Sequence, residues 1–134
     1  MVAMNTSQIG RISEAHVLAK LASGGWNILI PFGDGHIYDF VIEKQGNFSS
    51  VQIKTARFHA AANTISFSLR ASDSRAGESR FYSDIDFFGV YCRETDGVYL
   101  VPKDGLAKYD CTLRLSDPKN NQSKGIRLAK RFLI

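Results

Sequence analysis

The chain has 134 residues, 44% of them apolar, with a formal charge of +4 and a pI near 9.2. That length supports one hydrophobic core rather than two, so a single domain over 1–134 is expected, and the basic excess permits nucleic-acid binding without requiring it. No apolar run approaches the ~20 residues of a membrane helix, the N-terminus lacks a signal-peptide pattern, and Cys92 and Cys111 have neither zinc-site spacing nor a disulfide framework. A cytoplasmic protein with two buried free thiols and no membrane partner is the expectation.

In chain order, Thr6 or Ser7 is placed to cap a helix whose apolar residues Ile9, Ile12, Val17, Leu18 and Leu21 recur at helical spacing and which stops at Gly24-Gly25. Trp26 to Pro31 reads as a short strand ended by proline, and Phe32-Gly33-Asp34-Gly35 as a turn. His36 to Lys44 and Phe48 to Ala56 read as two strands joined by a tight hairpin at Gln45-Gly46-Asn47. Asn63 to Leu69 alternates as a strand does, whereas Arg70 to Tyr82 is polar and serine-rich, a loop of the kind that touches ligands. Asp86 to Arg93 and Gly97 to Pro102 form a last hairpin around Glu94-Thr95-Asp96, Cys111 to Leu115 a short edge strand, and the basic tail from Lys119 to Ile134 one or two helical turns. There is no internal repeat or low-complexity segment.

The first hairpin brings chemistry together. Alternate strand residues share a face, so Gln52 and Lys54 point one way and Val51, Ile53 and Thr55 the other. With Gly46-Asn47 as the two turn residues, Asp39 lies opposite Lys54 and Val41 opposite Gln52; a one-residue shift sets Asp39 against Gln52 instead. Either way Asp39, Gln52 and Lys54 share a face, with directly opposed Cβ atoms ~4.5–5.5 Å apart. A plain surface salt bridge from Asp39 to Lys54 is the simplest alternative. Against it, Tyr38, Phe40, Ile42, Val51 and Ile53 make both strands strongly apolar, which suits central positions where a polar trio needs a reason.

Glu14 in the first helix, Tyr38-Asp39, and Gln52-Ile53-Lys54 together resemble the PD-(D/E)XK nuclease superfamily, in particular the small branch typified by homing endonucleases encoded in group I introns. Gly10-Arg11-Ile12-Ser13-Glu14, Val51 to Arg57, Ile85-Asp86-Phe87-Phe88, Val98 to Pro102 and Pro118 to Gln122 extend the resemblance over most of the chain. It implies an α/β fold, a restriction-endonuclease-like mixed sheet flanked by helices, with the active site at one end of the central hairpin. It also implies roles: Asp39 as the metal-binding aspartate, Gln52 in the place of the usual acidic residue, Lys54 as the catalytic lysine, Glu14 as the helix carboxylate that completes the site, and the Ile53 carbonyl as a further metal ligand. Gln52 departs from the commoner pattern. Its amide oxygen binds a hard cation more weakly than a carboxylate does, although in this branch the glutamine is expected.

Phosphodiester hydrolysis needs an attacking water, stabilisation of charge on the pentacovalent transition state and neutralisation of the leaving oxygen. Asp39 and Glu14 can hold Mg²⁺ or Mn²⁺, and Lys54 can position the water or stabilise the developing charge. For Glu14 alone, a solvated carboxylate favoured by the helix dipole is the simpler reading. Arg57, Arg70, Arg75, Arg80, Lys124 and Arg127 are candidates for binding phosphates of double-stranded DNA, each with a solvated charge as its plain alternative. His16, His36 and His59 are scattered, and only His36 falls near the site in sequence. One site cuts one strand, so a homodimer or homotetramer is expected for double-strand cleavage. A Mg²⁺-dependent homing-type endodeoxyribonuclease is the reading; a Holliday-junction-resolvase-like nuclease or a non-cleaving DNA-binding protein of the same fold are the alternatives.

Overall fold

The computed structural model of the chain describes residues 3–71, 80–81, 85–118 and 125–134. Helix α1 (Thr6–Ser23) is capped by Asn5: the Asn5 side chain accepts from the Gln8 N–H and the Gln8 side chain accepts from the Asn5 N–H, each at 2.9 Å. The cap therefore lies one residue before Thr6, because asparagine followed by glutamine three residues on satisfies two orphan amides at once. The buried stripe is Ser13, Val17 and Leu21, one residue per helical turn, while Ile12 stays 37% exposed. Ser13 turns inward because its hydroxyl meets that of Thr55 at 2.5 Å.

The strands are β1 (Asn27–Leu29), β2 (Phe40–Lys44), β3 (Asn47–Thr55), β4 (Arg57–His59), β5 (Thr64–Ser68), β6 (Arg70–Ala71), β7 (Arg80–Phe81), β8 (Phe87–Cys92), β9 (Gly97–Pro102) and β10 (Asp110–Arg114). Four of them, β2, β4, β6 and β7, correct the sequence reading. β4 is an additional strand, three residues being too short a run to display alternation. The segment from Arg70 to Tyr82 is not wholly a loop, since β6 pairs antiparallel with β7, Arg70 facing Phe81 and Ala71 facing Arg80. β2 also begins at Phe40 rather than His36.

Five strands form one sheet in the order β1-β2-β3-β8-β9, antiparallel except for the parallel central pair β3–β8. A second, antiparallel sheet has the order β10-β5-β4. Period-two alternation in the central strands feeds two cores. On one face Phe40, Ile42, Val51, Tyr91 and Val98 pack under Val17 and Leu21 of α1; on the other Phe88, Val90 and Val101 pack against Ile65, Phe67, Cys111 and Leu113 of the smaller sheet. The mixed α/β architecture is thus present, with, among the described residues, helix α1 on one flank and a second sheet on the other. Both cysteines are buried and free, as the sequence suggests. No helix of the described residues is long and apolar enough to cross a membrane.

Two local devices align the layers. A Cβ added to Gly89 would lie 2.8 Å from Val17 Cγ1 and 3.2 Å from Val51 Cγ1, so the missing side chain is what lets α1 settle onto the sheet. At the start of β8, the Asp86 carboxylate accepts from the Ser50 N–H at 2.8 Å and the Asp86 N–H donates to Ser50 Oγ at 3.0 Å. This reciprocal clasp sets the register of β8 against β3. The tail returns along β9 through Ile134 N–H to Val98 O and Leu100 N–H to Phe132 O, after a single 3-10 turn at Ala129–Arg131.

Candidate active site

The β2–β3 turn is Gln45-Gly46, with φ of +53° and +81°. Two successive left-handed residues make the primed turn that matches strand twist, and glycine takes the second position at no steric cost. Lys44 consequently pairs with Asn47 and Phe40 with Val51. The register with Gly46-Asn47 at the turn and Asp39 against Lys54 is corrected; the register shifted by one residue is observed from Lys44 to Phe40.

At Asp39 the ladder changes character. Its N–H bonds to the Val51 carbonyl at 2.9 Å although Phe40 already faces Val51, so two residues oppose one, as in a bulge. The next amide along β3, that of Ile53, donates to Asp39 Oδ2 at 2.7 Å, the carboxylate standing where a strand carbonyl would otherwise accept. One oxygen is thereby fixed to the backbone. Gln52, half-buried, follows Val51 on β3, and Lys54 lies two residues on, on the same face of that strand.

Glu14 reaches this end of the sheet from the other layer. The Ser13–Thr55 contact and the seating of Val17 on Gly89 fix α1 along β3 and β8, and Glu14 lies between those two anchors in sequence. Its carboxyl is held above the usual carboxylate range, first by burial and then by the charge of Asp39. Burial likewise raises Asp39, against the Ile53 hydrogen bond and the Lys54 charge, which both lower it. Burial pushes the Lys54 ammonium down to about 8, opposed by Asp39. Asp39 is therefore the electrostatic centre of the group, its charge felt by Glu14 on the helix and by Lys54 on the strand.

Such a group fits a divalent cation. Two carboxylates that burial and mutual repulsion both disfavour are relieved by a cation between them, and the free Oδ1 side of Asp39 with the Gln52 amide oxygen supplies hard donors. Among the described residues no three His, Cys, Asp or Glu side chains come together to hold a metal, so a third donor must be an amide or carbonyl oxygen, as Gln52 and the Ile53 carbonyl offer.

Lys54 also borders an open cleft of about 420 Å³, with Thr55, Arg57, His59, Ser66, Ser68, Asp110 and Thr112 along its walls. Of the basic residues marked in the sequence, Arg57 lies in this cleft. Arg70 is exposed beside it, its carbonyl accepting from Lys54 Nζ at 2.7 Å and its guanidinium 4.5 Å from the Tyr109 ring centre. Arg127 donates to the Gly105 carbonyl and so ties the tail to the loop after β9. Arg80 is placed by its backbone on β7, and Arg75 and Lys124 lie outside the described residues. His36 holds the Phe32 carbonyl at 2.9 Å and His16 stacks on Tyr91 at 4.0 Å, which are structural duties. His59 lines the cleft with its ring joined to Ser66 Oγ at 2.8 Å, where Arg57-x-His59 alternates against Thr64-x-Ser66-x-Ser68.

A family model described as PD-(D/E)XK endonuclease matches residues 4–134. Among solved structures, that titled as a bacterial homing endonuclease, I-Ssp6803I, superposes with a TM-score of 0.69 over 98% of this chain and 88% of the other, at 20% identity, a likeness of fold. No curated protein matches the chain. Since the family match spans nearly every residue, from the helix that carries Glu14 to the tail that closes on β9, the chain belongs to the PD-(D/E)XK endonuclease family.

Proposed function

We propose that the chain is a divalent-metal-dependent endonuclease of double-stranded DNA, of the homing or a similarly site-specific kind. The observation that carries the reading is Asp39, fixed to the Ile53 amide and coupled in charge to both Glu14 and Lys54. Asp39, Glu14, Gln52 and the Ile53 carbonyl would hold Mg²⁺ or Mn²⁺, which when bound supplies an activated water and Lewis-acid stabilisation of the phosphate. Lys54 is placed to meet a non-bridging phosphate oxygen or to orient the attacking water; at neutral pH it is largely charged, suited to stabilising the extra negative charge of the transition state. Arg57 on the cleft wall, with Arg70, Arg75, Arg80 and Lys124, would hold the flanking DNA. The likeness of fold to a homing endonuclease supports site-specific cutting. One site per chain supports a homodimer or homotetramer for a double-strand break.

Cleavage, rather than binding alone, is favoured by the half-buried lysine beside the Asp39 carboxylate, since a surface that only binds phosphates gains nothing from depressing a lysine. Supercoiled plasmid incubated with Mg²⁺ or Mn²⁺ tests the reading. Nicked or linear product from the wild type and its loss in Lys54→Ala are expected, and an equally active variant would remove Lys54 from the site.

A further inference from the structure

We propose that the outer face of the β10-β5-β4 sheet reads base edges in the major groove of the DNA whose phosphate meets Lys54. This rests on the reading of the chain as a nuclease of duplex DNA and assigns it a sequence-reading surface. Phe58, Ile65, Phe67, Cys111 and Leu113 point from these strands toward the core, so their neighbours point out. Cross-strand register gathers the outward side chains into rows. Arg57, Ser66 and Thr112 form one row, and His59, Thr64 and Arg114 the next. Ser68 and Asp110 form a third, on the side where Thr55 and Lys54 join the same cleft.

The dimensions suit a duplex. Rows on one face are ~6.8 Å apart, two residues at ~3.4 Å each, and stacked base pairs are ~3.4 Å apart, so neighbouring rows address positions two base-pair steps apart. Three strands at ~4.8 Å spacing give a face ~10 Å across, against a major groove ~12 Å wide.

Any solvent-facing antiparallel sheet is polar on the outside, so polarity alone decides nothing. The kind of polarity does. These three rows hold no lysine and no glutamate, the long flexible residues that serve solubility; they hold serine, threonine, histidine, arginine and aspartate, whose donors and acceptors sit close to the backbone or in a rigid fork. His59 Nε2 and Ser66 Oγ are joined at 2.8 Å, which orients the ring. Asp110 separates the two kinds of DNA contact. A carboxylate repels a phosphate but accepts from the cytosine amino group, and the Arg57 fork matches the two acceptors of guanine. Because the cleft that these residues line is the one that Lys54 borders, a duplex presenting a phosphate to Lys54 is brought against them.

The test uses the full chain and a pool of duplexes with a randomised central segment. DNA bound in Ca²⁺ is recovered by gel shift and sequenced, and the same pool is incubated separately with Mg²⁺ to score cleavage. Wild type is expected to enrich a preferred sequence. Ser66→Ala combined with Thr112→Val is expected to lose about ten-fold or more of the preference at one or two positions, and Asp110→Asn to lose it about two base-pair steps away. These side chains face outward, and Asp110→Asn alone decides the matter if the double variant does not fold. Variant preferences identical to wild type at every position, or a wild type with none, overturn the proposal even if cleavage is present. A preference that the variants shift, without cleavage by wild type, upholds it and removes the nuclease reading instead.

Discussion

The Lys54 ammonium donates a 2.7 Å hydrogen bond to the backbone carbonyl of Arg70, the first residue of the β6–β7 ribbon. The lysine is thus moored to the chain segment that leaves the smaller sheet, and it is the Asp39 charge that sustains its proton against burial. Its folded pKa, about 8, is below the ordinary 10.5, so the folded state is penalised for the proton. That penalty is full below pH 8 and disappears above the ordinary lysine range. Lys54→Met is therefore expected to melt about 2–5 °C above wild type at pH 7, the gain shrinking as pH rises from 8 toward 10.5. Its plasmid-nicking rate should fall by on the order of 10²-fold or more. A variant melting below wild type at pH 7 would contradict the electrostatic account.

Asp39→Asn keeps an acceptor for the Ile53 amide and removes a charge that burial opposes. Because the Asp39 pKa is raised, its penalty is present at neutral pH and is lost as pH falls through the carboxylate range. Without divalent metal, the variant is expected to melt above wild type at pH 7 and to converge with it under acid. Mg²⁺ should stabilise wild type by about 1.4–2.7 kcal/mol at 10–100 times its dissociation constant and leave the variant unmoved. Differential scanning calorimetry over pH and metal concentration reads both effects, and equal stabilisation of the variant by Mg²⁺ would take Asp39 out of the metal set.

Gln52 sets how much negative charge the site holds. Gln52→Glu adds a third carboxylate beside Asp39 and Glu14, both already above their usual range. The metal-free variant should therefore be less stable than wild type at pH 7, while its affinity for Mn²⁺ rises by about ten-fold. Gln52→Ala should bind Mn²⁺ more weakly. Titration calorimetry gives the ordering Glu, Gln, Ala, and an unchanged affinity across the three would place Gln52 outside the metal's reach.

Gly89→Ala tests whether helix seating matters to the site. The new Cβ would meet Val17 Cγ1 at 2.8 Å, an overpacking expected to cost about 1–3 kcal/mol in urea denaturation. Lifting α1 also withdraws Glu14, so nicking should slow in protein that remains folded. Val17→Ala in the same chain makes room and should return part of the lost activity; activity that stays low with restored stability would argue against the coupling.

How far the sequence discloses this molecule varies along the chain. Gly97 to Pro102 is a strand with the bounds its alternation suggests, and α1 ends at Gly24 as the glycine pair implies. Gln52 and Lys54 share a face of β3 as period two requires, but the bulge that sets Asp39 and Phe40 together against Val51 interrupts that period and shows in no residue type, and the register itself hinges on which residues of Gln45-Gly46-Asn47 take the left-handed positions. Pairings made over long sequence distance were hidden. Nothing in Ser13 announces Thr55, and Gly89 looks like a blemish in an apolar strand until Val17 is laid over it. β4 and the β6–β7 ribbon escaped for a related reason, being held by partners rather than by their own propensity.

The parallel pairing of β3 with β8 requires a crossover, and here the crossover contains β4, β5 and the ribbon. Five residue pairs and the Asp86–Ser50 clasp fix β8 against β3. Within the crossover Ala56, Ile65, Phe67 and Leu69 belong to the core and the Arg70 carbonyl holds Lys54, whereas Arg57, His59, Thr64, Ser66 and Ser68 alternate with them along β4 and β5. Residues that seat the strands and residues that face outward thus interleave in one segment, so new side chains can be selected at the second set while the first keeps the sheets in place.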